Sequence, residues 1–237
     1  MKKLICVVLT LLMITAVSFA FAEGTQPALD AGATVTAMGT GSVVIVPDFA
    51  TITLGVSTQA ETVSDAQRQN AALVSAVRDS LVAWGVAWED IQTNYFSIYP
   101  VYDYNYSGGI DRILGYRVEN NLNVIIRELD KVSAILDAAM DAGANQSYGL
   151  TFDSTKRGEA YDQALAMAAR EARRKAQILA GAADVTLGEL VNATEQNMGY
   201  YGEIKAGSGT MDMRGETPIM NGSLTVVASV ISTYQVD

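Results

Sequence analysis

The sequence predicts an α+β protein in which antiparallel or mixed sheets pack against a few helices, including one long Ala-rich helix. Three observations support this class. Apolar and polar residues alternate in most segments after Thr34, which is typical of half-buried strands. Three other segments follow the 3.6-residue period of an amphipathic helix. Of the 237 residues, 49% are apolar, which is compatible with a packed core. The predicted element order is ββαββ followed by αβαββ.

The beginning of the chain predicts export. Lys2 and Lys3 precede a short apolar run over 4–17, and small residues follow up to Ala22. This is the pattern of a signal peptide over 1–22 that is cleaved after Ala22, with an uncleaved membrane anchor as the alternative. The run is shorter than the roughly 20 residues that a spanning helix needs. We therefore expect a periplasmic, extracellular or envelope protein with no integral membrane segment after cleavage.

Composition excludes several kinds of site and partner. The chain has no His, and its only cysteine, Cys6, lies inside the predicted signal peptide. Imidazole bases, Cys nucleophiles, zinc sites built from His or Cys, and disulfides are therefore excluded from the mature chain. Cleavage removes Lys2 and Lys3 and takes the formal charge from −10 to −12, which disfavours nucleic acid and anionic membranes as partners. We expect no catalytic residue, no cofactor and no bound metal.

The N-terminal half, 34–127, follows a flexible lead over 23–33. The alternating runs Thr34–Val46 and Phe49–Thr58 are separated by a Pro-Asp turn, and this pattern predicts a β-hairpin. A helical period follows over Glu61–Gly85, and Asn70 interrupts its apolar face. Because a buried Asn needs hydrogen-bond partners, we expect Asn70 to bond backbone groups of the adjoining sheet.

Two further runs, Ile91–Tyr106 and Arg112–Arg127, predict an aromatic hairpin with Ser-Gly-Gly at its turn. Without a bulge, one face of the first strand carries Phe96, Ile98, Pro100, Tyr102, Tyr104 and Tyr106. Tyrosine combines a large contact area with a polar tip. We predict Tyr102, Tyr104 and Tyr106 as a subunit or ligand contact, and ordinary sheet packing is the alternative.

Two weaker patterns indicate metals. Asp103, Asn105, Ser107, Gly108 and Asp111 match five positions of a calcium loop, but Leu114 stands where a bidentate Glu is required. A solvated hairpin tip explains the same residues. Met211-x-Met213 offers thioethers to Cu(I), although a flexible loop over 196–221 is the simpler interpretation.

The C-terminal half, 128–237, supplies the remaining elements. They are a helix over Leu129–Ala142, a strand over Gln146–Phe152, the long helix over Lys156–Asp184, and strands over Leu187–Glu195 and Gly222–Val236.

On a helical period, the expected inward stripe of the long helix is Tyr161, Leu165, Ala168, Ala172, Ala176, Leu179 and Ala183. Lys175 lies beside Glu171 in the favourable i,i+4 order, which favours an ion pair over a catalytic lysine.

The chain resembles the SIMPL-domain family, which includes the periplasmic immunogenic proteins of bacteria. The resemblance is carried by an ordered set of short motifs over 34–237: Gly39-x-Gly41, Pro47-Asp48, Ile91-Gln-Thr93, Pro100-x-Tyr102, Gly115-Tyr116-x-Val118, Asp130-Lys131, Asp137-Ala138, Gly143-Ala-Asn145, Phe152, Ala164-Leu165, Ala172-Arg173-x-Lys175-Ala176 and Leu187-Gly188. It implies an exported α+β protein, linked to oxidative-stress tolerance, without an established activity or site motif. Some relatives look like assemblers of large homo-oligomers.

Two functions are expected from these observations. The first is a non-enzymatic protein that self-associates in the cell envelope. The second is a binding module for a cell-wall glycan or a cation, which would use the tyrosines of Tyr95–Tyr106 and the carboxylates Asp103 and Asp111.

Overall fold

The computed structural model describes residues 32–103, 112–196, 219 and 221–237. Its elements follow the predicted order, which is confirmed: β1 (Thr34–Ile45), β2 (Phe49–Ala60), α1 (Val63–Ala83), β3 (Ile91–Asp103), β4 (Arg112–Ile126), α2 (Val132–Asp141), β5 (Gln146–Asp153), α3 (Arg157–Ala182), β6 (Leu187–Gln196) and β7 (Leu224–Val236). Short 3₁₀ turns, Trp88–Asp90 and Leu129–Lys131, precede β3 and α2. The predicted signal peptide and both predicted metal loops, apart from Asp103, lie outside the described residues.

The strands form two antiparallel sheets, ordered β1-β7-β6 and β3-β4-β2-β5. The predicted β1–β2 hairpin is therefore wrong, because the two strands lie in different sheets. Asp48 explains the separation: its N–H bonds the Asp153 carbonyl at 3.0 Å, and its carboxylate accepts hydrogen bonds from Ser154 and Thr155. These bonds hold the connection at the start of α3, and each sheet combines strands from both halves of the chain.

The main core lies between the four-stranded sheet and helices α1 and α2. Its fully buried side chains alternate along the central strands β2 and β4, and the largest of them are Ile52, Leu54, Val56, Val118, Val124 and Ile126. From the helices, Val77 and Leu81 meet Val132 and Ile135. Burial of this apolar surface is the main stabilising contribution on this side of the molecule.

Asn70 is 1% exposed in this core. Its Nδ2 donates to the Val56 carbonyl at 2.8 Å and to the Val118 carbonyl at 3.3 Å. The predicted bonding of Asn70 to the adjoining sheet is confirmed, and the side chain ties α1 to both central strands.

Helix α3 packs on β1 and β7 through a stripe different from the predicted one. The buried residues are alanines at exact four-residue spacing: Ala160, Ala164, Ala168, Ala172, Ala176 and Ala180. Ala168, Ala172 and Ala176 were expected inside, whereas Leu179 is 49% exposed and Ala183 is exposed. The larger side chains turn outward because the helix lies too close to β1 to accommodate them.

Gly39 and Gly41 of β1 make this close contact. A Cβ atom at either position would lie 2.0 Å from a helix carbonyl oxygen, that of Ala168 for Gly39 and that of Ala164 for Gly41. Two strand residues advance about 6.6 Å and four helical residues about 6 Å. The two glycines therefore stay in step with the alanine row, and the helix backbone lies directly on the strand.

Candidate functional site

Strand β3 is the outer strand of the four-stranded sheet, paired on one side with β4. Its register has one extra residue, Asn94, between Thr93 and Tyr95; from Tyr95 to Asp103 the strand alternates without interruption. Phe96, Ile98, Pro100 and Tyr102 therefore share one face as predicted; this is the face that α1 covers on the neighbouring strands. Tyr104 and Tyr106 lie outside the described residues, and the contact role of the three tyrosines stays a prediction.

The exposed apolar surface of the β3–β4 hairpin is larger than the sequence analysis proposed. Tyr95 is 45% exposed, Phe96 51%, Ile113 46% and Leu114 51%. Ile113 pairs with Tyr102, and Leu114 is the extra residue of a bulge in β4. Sequence reasoning missed Ile113 and Leu114, although their position across the turn from the tyrosines was a usable signal. Tyr95 lies on the opposite face of the sheet from Phe96, so we name only Phe96, Ile113 and Leu114 the hairpin patch.

Tyr99 and Glu119 fix the middle of the hairpin. The Tyr99 hydroxyl donates to Glu119 Oε1 at 2.5 Å across the β3–β4 pair. Because this bond holds the phenolic proton, it raises the pKa of Tyr99, and the nearby Arg117 opposes the rise. The bond anchors the strand at the centre of its exposed length.

The outer edge of β1 is covered, in contrast to that of β3. Glu171 of α3 accepts the outward-pointing Thr40 N–H at 2.9 Å, so the helix both covers this edge and bonds to it. That bond, assisted by Lys175 at 3.3 Å, lowers the pKa of Glu171. The predicted Glu171–Lys175 pair is confirmed. No other strand pairs with the outer edge of β3 among the residues that the structure describes, and an uncovered edge is a template for strand pairing.

Within 32–103, 112–196, 219 and 221–237, no group of three or more acidic side chains is placed to hold a metal ion. Over the same residues, no helix has the length and apolarity needed to cross a membrane. Asp103 is partly buried near the end of β3 and has an interaction partner.

Comparison with known proteins identifies the family. The model of the SIMPL family, described as a protein of unknown function (DUF541), matches residues 35–234. The chain belongs to the SIMPL family. The match runs from the start of β1 to the end of β7, so both sheets and the β3–β4 hairpin lie within the SIMPL region.

Individual relatives agree with this assignment. The chain is 32% identical to the 26 kDa periplasmic immunogenic protein of Brucella melitensis over 190 residues, which are 78% of this chain and 76% of that protein. It is 34% identical to the uncharacterized protein YggE of Edwardsiella ictaluri over 157 residues, 66% of this chain and 65% of the relative. With YggE of Escherichia coli K12 the identity is 31% over 149 residues, 63% and 60% of the two chains.

Proposed function

We propose that this SIMPL protein is exported and acts without catalysis, by associating with copies of itself in the cell envelope. The observation that carries the proposal is the uncovered edge of β3 beside the hairpin patch. Export is supported by the signal-peptide pattern and by the name of the Brucella relative, which describes that protein as periplasmic. A link to stress tolerance is supported by the family resemblance alone.

The geometry favours self-association for two reasons. β3 presents 13 residues at the sheet edge, and a second strand pairing there would satisfy its outward backbone groups. The hairpin patch would lose its contact with water in the same step, which adds an apolar contribution. The two sheets have four edge strands, β1, β6, β3 and β5; α3 bonds an outward N–H of β1, and β3 is the edge strand that lies beside the hairpin patch.

The test is light scattering behind size exclusion on residues 23–237, with and without calcium. We expect a defined assembly of the unmodified chain. Phe96→Lys should break it, because a lysine at an exposed sheet edge disfavours strand pairing. Val44→Lys is the matched control: Val44 is 65% exposed on β1, whose outer edge α3 covers, so this variant should assemble normally.

The tyrosines form a separate arm of the experiment. Joint replacement of Tyr102, Tyr104 and Tyr106 by Ser should weaken the assembly if the contact extends to the end of the hairpin. A strictly monomeric unmodified chain would refute self-association, and an assembly that survives Phe96→Lys would refute this surface.

A further inference from the structure

The face of the four-stranded sheet opposite α1 and α2 carries an ordered set of polar side chains. Cross-strand pairing places them in two adjacent rows, which we name the amide grid: Gln92, Asn123, Thr53 and Tyr148 in one row, and Tyr95, Asn121, Gly55 and Gln146 in the other. Each row runs across all four strands. Four of the eight residues have an amide side chain, two are tyrosines on the outer strands, and none is charged.

Tyr148 lies flat on this face. Its hydroxyl oxygen accepts a hydrogen bond from Asn121 Nδ2 at 2.5 Å, although the two residues lie on β5 and β4 with β2 between them. Strands two apart are separated by about 10 Å. The tyrosine side chain spans that distance only by lying across β2. It is nevertheless 50% exposed, so one face of the ring is presented to solvent.

Gly55 makes room for this arrangement. A Cβ atom there would lie 2.6 Å from both Asn121 Oδ1 and Gln146 Oε1, so the two amide oxygens occupy the space above β2 that a side chain at position 55 would need. On the far side of Asn121, Tyr95 is 45% exposed on β3. The backbones of Tyr148 and Tyr95 are three strands apart, about 14 Å, and the Tyr148 side chain extends over most of this distance to Asn121, the cross-strand partner of Tyr95.

Contacts within the fold account for only part of the grid: Asn121 is 7% exposed and donates to the Tyr148 hydroxyl. Asn is depleted in strands, yet β4 carries Asn120, Asn121 and Asn123 at its centre. Asn70 on α1 donates to two buried backbone carbonyls, whereas Gln92 is exposed with its Nε2 donating to the Glu89 carbonyl at 3.3 Å, and Asn123 is half-buried on the outward face. An uncharged row of donors and acceptors, bordered by exposed aromatic rings, has the chemistry of a binding surface for hydroxyl and acetamido groups.

We propose that the amide grid binds an uncharged oligosaccharide, with a sugar ring stacked on Tyr148 and Tyr95 at the other end of the site. A nucleic acid is disfavoured by the formal charge of −10, and a protein interface would require apolar side chains at the centre of the grid. The proposal is independent of self-association, because the grid and the Phe96 side of β3 lie on opposite faces of the sheet.

The experiment is calorimetric titration of residues 23–237 with the tetrameric oligosaccharide of chitin, whose units carry acetamido groups, and with cellotetraose, whose units do not. We expect saturable binding with one site per chain. Tyr148→Ala should weaken it about tenfold or more, and Tyr148→Phe, which keeps the ring and loses the Asn121 bond, should weaken it several-fold. Tyr161→Ala is the matched control, because Tyr161 lies on α3 in contact with Glu195, and it should bind as the unmodified chain does.

Melting temperature and light scattering on the same samples keep the outcomes distinct. A folded Tyr148→Ala variant that binds normally overturns the proposal, as does absence of binding to both oligosaccharides. Loss of assembly in Tyr148→Ala, without saccharide binding by the unmodified chain, would assign the face to a contact between copies and would also overturn it. Saccharide binding by a monomeric chain would support the grid while refuting self-association.

Discussion

The molecule attaches helices to sheets in two different ways. Helices α1 and α2 stand off the four-stranded sheet, and large side chains such as Ile52 and Leu54 of β2 and Leu81 of α1 fill the space between them. Helix α3 instead touches β1 through alanines and glycines, and its backbone oxygens approach Gly39 and Gly41 so closely that no side chain fits between. The first interface is stabilised by large buried side chains, whereas the second requires residues with a small side chain or none.

The difference determines which parts of the protein are open to partners. Contact at backbone distance lets Glu171 reach the Thr40 N–H and cover the edge of β1. The helices of the other sheet lie mainly over its central strands β2 and β4. Among the described residues, that arrangement leaves the outer edge of β3 without a neighbouring strand and the face of the amide grid without a packed helix. The contact between α3 and β1 is therefore structural, and both candidate functional surfaces belong to the four-stranded sheet.

The largest loss of stability should come from adding a side-chain atom to the contact between α3 and β1. Gly39→Ala places a methyl group about 2 Å from the Ala168 oxygen, so α3 must move away from β1. Overpacking usually lowers the free energy of unfolding by about 1–3 kcal/mol. The added methyl group would meet backbone atoms of both Ala168 and Ala172, which cannot move aside as a flexible side chain can, so the loss should reach or exceed the upper end of that range. Urea denaturation should show a loss of about 3 kcal/mol or more in the free energy of unfolding.

Gly181→Ala on α3 is the control for that prediction. A Cβ there meets nothing within 4 Å among the described residues, and alanine favours the helix by about 0.5–1 kcal/mol. It should therefore leave stability unchanged or raise it slightly. If Gly39→Ala proves as harmless as Gly181→Ala, the two interfaces do not differ as described.

A smaller effect is expected from the two hydrogen bonds that Asn70 makes in the core between the four-stranded sheet and α1. Asn70→Ala removes the donor to the Val56 and Val118 carbonyls and leaves a small cavity, so the free energy of unfolding should fall by about 1–3 kcal/mol. Thermal and urea denaturation measure it. Asn70→Asp keeps the shape but replaces the donating amide with a carboxylate facing two carbonyls, and it should be at least as damaging. A fully stable Asn70→Asp would show that the bonds to β2 and β4 contribute little.

Much of the fold was predictable because its signals are local. The order of elements followed from hydrophobic period, and the role of Asn70 followed from one polar residue on an apolar helix face. The pairing of β1 with β7 was not predictable in this way, because the two strands lie almost at opposite ends of the chain and the Pro-Asp turn specifies no partner. The stripe of α3 was misassigned because the period method places large apolar residues inside, whereas Gly39 and Gly41 admit only alanine.

The candidate sites, too, could be predicted from the sequence only where their signals are local. The tyrosines of β3 were visible as a dense aromatic run, and their shared face followed from alternation as far as Tyr102. The amide grid was not visible, since Gln92, Asn121 and Gln146 become neighbours only through the strand order β3-β4-β2-β5. No spacing along the chain encodes that order.

The smallest effect concerns the charge that secures α3 to the edge of β1. The Thr40 N–H and then Lys175 hold the pKa of Glu171 below its ordinary value of 4.5 in the folded protein. The stabilisation is therefore complete above the ordinary carboxyl pKa and is lost as pH falls through the depressed folded value. Glu171→Gln should be less stable than the unmodified chain at neutral pH, and the gap should close in acid.

Urea denaturation from neutral pH to about pH 2 follows that gap directly. Lys175→Gln is the informative companion, because the backbone bond from Thr40 is the largest single cause of the lowered pKa of Glu171 and remains in this variant. It should retain most of the pH dependence that Glu171→Gln abolishes. If Lys175→Gln removes the dependence completely, the carboxylate is held by its ion pair and the edge of β1 is covered by packing alone. The edges of β1 and β3 would then differ only in the position of the nearest helix, and the hydrogen bond from the Thr40 N–H to Glu171 would not contribute to the difference.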